Sequence, residues 1–126
     1  MSGRHGADGR AIIEMGMGNS LHRRDYTKAA LRAVEDAMRH SSLAFLAVLE
    51  IPRDQVRVRV SIGVQAPGAV NAQAIADHLG GAPEVVVELG GLDVTDAATG
   101  EVHVVAAAAV EVFVPRPTGW TLRSAS

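Results

Sequence analysis

The chain has 126 residues, 48% hydrophobic and 21% charged, a balance that suits one folded domain and excludes a disordered chain or a pair of domains. A formal net charge of -2 and a pI near 6.2 leave no broad basic footprint, so no nucleic acid is expected as a partner. Cysteine is absent, which excludes disulfides, thiol catalysis and thiolate metal sites. No apolar run approaches the roughly 18–20 residues of a membrane span, and the first ten residues hold no signal-like apolar segment; a cytoplasmic location with no membrane partner is the expectation.

Residues 1–10 are Gly-rich and polar, and residues 116–126 carry Pro117, Gly119 and a Ser-rich end, so loosely held termini are expected to flank a single domain over residues 11–115. With aromatics at only 3%, its core has to come from Val, Ala, Leu and Ile. Ala11–Met15 is short, apolar and contains adjacent β-branched residues, which predicts a strand halted by Gly16 and Gly18. From Thr27 to about Ser41 the residues Ala30, Leu31, Val34, Ala37 and Met38 recur at helical spacing, with Asp25 or Thr27 as the cap.

Leu43–Ile51 is apolar without a clean period and reads as a short helical continuation or a buried strand, the former preferred. Gln55–Val64 alternates, with Val56, Val58, Val60, Ile62 and Val64 on one face and Arg57, Arg59 and Ser61 on the other. Asn71–Leu79 is a second helix stopped by Gly80 and Gly81. Glu84–Glu88 and Val102–Val114 read as two strands of a hairpin joined through Leu92–Gly100, with a turn at Asp96–Gly100.

The order β-α-β-α-β-β, with room for one extra short element, predicts an α/β (α+β) domain: a single mixed sheet with two main helices on one face. The alanines at 106–109 imply close approach by something on both faces. Val105, Ala107, Ala109 and Phe113 face away from Val104, Ala106, Ala108 and Val110, so the second face needs a cover. Self-association supplies one; a homo-oligomer is expected, a ring trimer favoured, with clefts for a small-molecule ligand at the subunit boundaries.

Glu14 to Arg32, with Gly16, Gly18, His22, Asp25, Thr27, Lys28, Ala29, Ala30 and Arg32 in their places, resembles the Lin0512 family of small proteins; the Val-rich strand and the final Ala-Ala-Val-Glu-Val run are similar too. That family's signature is Gly-x-Gly-x-Asp-x-His-Gly, and here Ser20 stands at the Asp position and Arg23 at the final Gly. The first change removes a carboxylate beside a histidine, and the second adds an anion-binding group. At the level of fold, the resemblance extends to the trimeric YjgF and chorismate-mutase-like proteins and to one repeat of the cyanuric acid hydrolases.

His22 is the first choice for chemistry, because an imidazole exchanges protons near neutral pH; the plain alternative is a surface histidine. Glu14, in an apolar strand, is its expected acid/base partner, or else a solvated or paired carboxylate, and Glu111 poses the same question. Arg23 and Lys28, at the helix entrance, are candidate anion binders, with Ser20 assisting by a hydrogen bond. Gly16 and Gly18 are expected to permit the turn, and Asp25 or Thr27 to start the helix. Gly16-Met-Gly18 lacks a dinucleotide fingerprint, and the five histidines are scattered, so no metal and no organic cofactor are expected. The leading expectation is an enzyme moving protons on a small polar or anionic metabolite, as an isomerase, lyase, cyclase or hydrolase. A non-catalytic ligand-binding or assembly protein is the alternative.

Overall fold

Period-two alternation in the Val-rich segments builds a sheet, and two amphipathic segments cover one side of it. The computed structural model describes residues 8–39 and 55–115; the continuation expected over Leu43–Ile51 and most of both termini lie outside the described residues. In chain order the elements are β1 (Asp8–Ser20), α1 (Tyr26–Met38), β2 (Arg57–Val64), a 3-10 turn (Pro67–Ala69), α2 (Ala72–Leu79), β3 (Glu84–Leu89), β4 (Leu92–Thr95) and β5 (Val102–Pro115). The fold is thus the expected α+β arrangement, one mixed sheet with both helices on one face. Its strand order is β1-β5-β2-β3, with β4 paired to β5.

The core lies between sheet and helices. Val60, Ile62 and Val64 of β2 and Val104, Ala106, Ala108 and Val110 of β5 meet Ala29, Ala30, Ala33, Val34 and Ala37 of α1, with Ile75 of α2 completing the layer. All are small or β-branched, so α1 sits close to the sheet. Asp25 caps α1, its Oδ1 accepting the Lys28 N–H at 2.9 Å. Thr27, the other expected cap, instead accepts the Asn71 N–H at 2.9 Å, and Asn71 itself caps α2 through the Ala74 N–H. One hydroxyl therefore ties the start of α1 to the start of α2.

Two expectations are corrected. Gly16 and Gly18 do not halt β1, which runs through both to Ser20. They lie under α1: a Cβ on Gly16 would stand 2.4 Å from the Ala33 carbonyl oxygen, and one on Gly18 would stand 2.3 Å from the Ala33 nitrogen. They are glycine because a helix backbone rests on them, not because the chain turns there. The hairpin also has a different membership. β3 pairs parallel to β2, and the short strand β4 is the antiparallel neighbour of β5.

The turn after β1 falls on residues with side chains. Arg23 and Arg24 adopt φ of 65° and 47°, a left-handed conformation that costs an L residue about 1–2 kcal/mol. Arg23→Gly is therefore expected to raise stability by about 0.5–1 kcal/mol, after allowing for the extra unfolded-state entropy of glycine. Urea unfolding of the two proteins measures it, and an unchanged midpoint rejects strain at this residue.

β1 forms one edge of the sheet, and α1 blunts that edge. The Met17 N–H donates to Asp36 Oδ2 at 3.0 Å, and Arg32 donates from a guanidinium nitrogen to the Asn19 carbonyl at 2.8 Å. Two outward groups that would template another strand are thereby satisfied within the chain.

Candidate functional site

The signature segment closes against the β4–β5 hairpin. His22, with its side chain 75% exposed, places Nδ1 at 3.1 Å from Glu101 Oε2. His103 donates from Nδ1 to the Leu21 carbonyl at 3.2 Å, and its Nε2 stands 3.9 Å from Asp96 Oδ2. The Tyr26 hydroxyl donates to Asp93 Oδ2 at 2.5 Å. Ser20 is 2% exposed, and its Oγ donates to the His22 carbonyl at 3.1 Å. The loop carrying His22 is thus held from beneath by Ser20 and from the side by the hairpin.

Electrostatics follow from these contacts. The Asp93 hydrogen bond, and then burial, push the Tyr26 phenol above its usual range, because both favour the neutral hydroxyl. The Ala98 and Thr99 N–H groups hold the Asp96 carboxyl below its usual range, with His103 adding to the effect. Asp96 therefore contributes stability above the unfolded carboxyl pKa of about 3.9, and loses it as pH falls through the lower folded value. Asp96→Asn is expected to flatten the acid limb of stability against pH below about pH 4. An unaltered acid limb in denaturant titrations rejects that role.

Of the expected site residues, the structure brings Ser20, His22 and Arg23 together, with Asp25 and Lys28 at the adjoining helix start. Lys28, Arg23 and Asp25 are exposed. Glu14 is elsewhere: it is level with Val110 on the helix-covered face, about 20 Å down the strand from Ser20 at ordinary strand rise. Glu111 lies on the opposite face, level with Ile13 and Arg59. Glu101, Asp93, Tyr26, Asp96 and His103 were missed. Only the Asp96–Gly100 turn hinted that a loop would meet the signature segment. Among the described residues, no group of three His, Asp or Glu side chains is arranged to hold a metal ion, and no helix is long and apolar enough to cross a membrane.

The sheet face without helices is concave. An open trough of about 650 Å³ crosses it, with Ser61, Gly63, Ala107 and Ala109 lining it alongside Met15 and Met17. Met15 is 65% exposed and Met17 64%, and Leu92 and Val94 extend the apolar surface beyond. Towards the other end Arg57 stacks over the Phe113 ring at 5.3 Å. Arg59 is half-buried, and its Nε lies out of reach of solvent with no hydrogen-bond acceptor.

Residues 10–112 match the family described as "Conserved hypothetical protein (Lin0512_fam)". Among solved structures the chain is similar to an FtsZ-like protein of unknown function from Nostoc punctiforme PCC 73102, at 32% identity and a TM-score of 0.73, covering 87% of this chain and 98% of that one. No curated protein matches.

Proposed function

This chain belongs to the Lin0512 family, and we propose that it works as an assembly protein, a homo-oligomer joined through the sheet face that its helices leave uncovered. The observation that carries this reading is the pair of methionines, Met15 and Met17, about two-thirds exposed on a sheet face. A contiguous apolar patch of this kind marks an interaction surface in a soluble domain, and burying it gains roughly 25 cal/mol per Å². A closed assembly of either two or three copies also places clefts for a small ligand at its subunit boundaries. Light scattering at micromolar concentration tests the proposal, and a monomeric mass rejects it.

A second reading rests on His22. A carboxylate 3.1 Å from Nδ1 orients the ring and leaves Nε2 for proton transfer, the usual base-and-orienter arrangement. In this scheme Glu101 replaces Glu14 as the partner, Arg23, next after His22 in the chain, binds an anionic metabolite, and Lys28 extends the positive charge along the helix start. No organic cofactor or metal enters this scheme. Citrate and phosphate, titrated at millimolar concentration while amide NMR shifts are followed, test it. Shifts confined to residues 20–28 and 101, and lost in Arg23→Ala, favour a ligand site; no shift there removes it.

A further inference from the structure

The register of the uncovered face supplies a geometry for the contact. Met17, Ala107 and Gly63 stand abreast on β1, β5 and β2, and Met15, Ala109 and Ser61 stand abreast one level along. At both levels a long flexible side chain lies on one flank of β5 and a minimal one on the other. A ridge beside a trough, with small residues on the line between them, fits itself when turned by 180° about that line.

We infer that two copies pack face to face about a two-fold axis running along β5. Met17 then enters the space above the partner's Gly63, and Met15 that above the partner's Ser61. Ala107 and Ala109 meet their own counterparts on the axis and let the sheets approach. Such a contact is isologous, each ridge filling the other's trough, and the strands of the two sheets run nearly aligned, the common geometry of sheet-on-sheet packing.

The next level along the strands agrees by charge. There Ile13, Glu111 and Arg59 stand abreast. The same rotation leaves two Glu111 carboxylates near the axis with an Arg59 guanidinium on each flank, so charges alternate across the interface. Arg59 Nε, buried and without an acceptor in one copy, lies at this level of the face, and a buried donor that lacks a partner is rare enough to call for one.

This inference rests on the assembly reading and is narrower than it. The chain has no cysteine, so single cysteines report position cleanly. Ala107→Cys and, as a control on the helix-covered side, Ala72→Cys, exposed at the start of α2, are treated with 1,2-bis(maleimido)ethane at micromolar protein, alongside light scattering of the unmodified chain. A dimeric mass with near-complete cross-linking at position 107 and little at 72 is the expected result. Met17→Glu should reduce the dimer at least tenfold at equal concentration while leaving the circular dichroism unchanged. A monomeric mass overturns both this inference and the assembly reading. A trimeric or larger mass, or a dimer that fails to cross-link through position 107, overturns the two-fold along β5 and leaves assembly itself standing.

Discussion

Gly18→Ala is expected to destabilise the fold by about 3 kcal/mol, the upper range for overpacking a tight contact, and to lower Tm by roughly 10–20 °C for a domain near 100 residues. The added Cβ would lie 2.3 Å from the Ala33 nitrogen and 2.6 Å from the Ala29 carbonyl oxygen. Both obstacles are helix backbone, so no rotamer change relieves them and α1 must lift from β1 and β5 together. Ala33→Gly should consequently fail to rescue the variant, because it removes a side chain that is not in the way. Thermal unfolding of the single and double variants decides this; a loss below 1 kcal/mol, or rescue by Ala33→Gly, contradicts backbone contact as the reason for glycine.

A loss of comparable size is expected on the other flank of β5. Gly91 has φ of 62°, and a Cβ there would meet the Val105 carbonyl oxygen at 2.2 Å. Gly91→Ala combines left-handed strain of about 1–2 kcal/mol with the displacement of a sheet carbonyl, and a total of about 3–4 kcal/mol follows by analogy with overpacked cores. Gly100 is the natural control. Its φ is 74°, with nothing within 4 Å of the added carbon, so Gly100→Ala should cost only the strain, about 1–2 kcal/mol. Equal losses at the two positions, read from urea unfolding, would remove the steric part of the argument.

These two glycines also explain what the sequence disclosed and what it hid. The helices α1 and α2, and strands β2 and β5, announce themselves through local periodicity, and local chemistry narrows the cap of α1 to Asp25 or Thr27; the cap of α2 at Asn71 emerges only in the structure. Gly16 and Gly18 read equally well as breakers or as contact points. Only the presence of Ala29, Ala33 and Ala37 above them, set by packing, separates the two. Gly90 and Gly91 carry the chain from β3 across to β4, so the apparent partner of β5 at Glu84–Glu88 belongs beside β2 instead.

The same limit applied to the candidate site. The position of His22 in a loop is legible from its neighbours. Its carboxylate contact is Glu101, 79 residues away, and nothing in the spacing of either residue points to the other. Glu14 reads as the partner because a carboxylate in an apolar strand is a usable acid or base. Strand geometry separates it from His22, since each residue between them adds about 3.3 Å. The uncovered face was anticipated from the alternating environment of the alanines at 106–109; Met15 and Met17 as its ridge depended on β1 continuing past its glycines.

The position of β5 between β1 and β2 bears on how the molecule is made. β5 is translated after the strands it separates, so neither long antiparallel pairing exists while the rest of the chain emerges. Until it arrives, β1 and β2 both present open hydrogen-bonding edges, and only the β1–α1 and β2–β3 neighbourhoods have nearby partners. Folding dominated by such distant pairings is slow and exposed to misassociation. Joining β1 and β2 into one sheet therefore waits on β5, the last strand described.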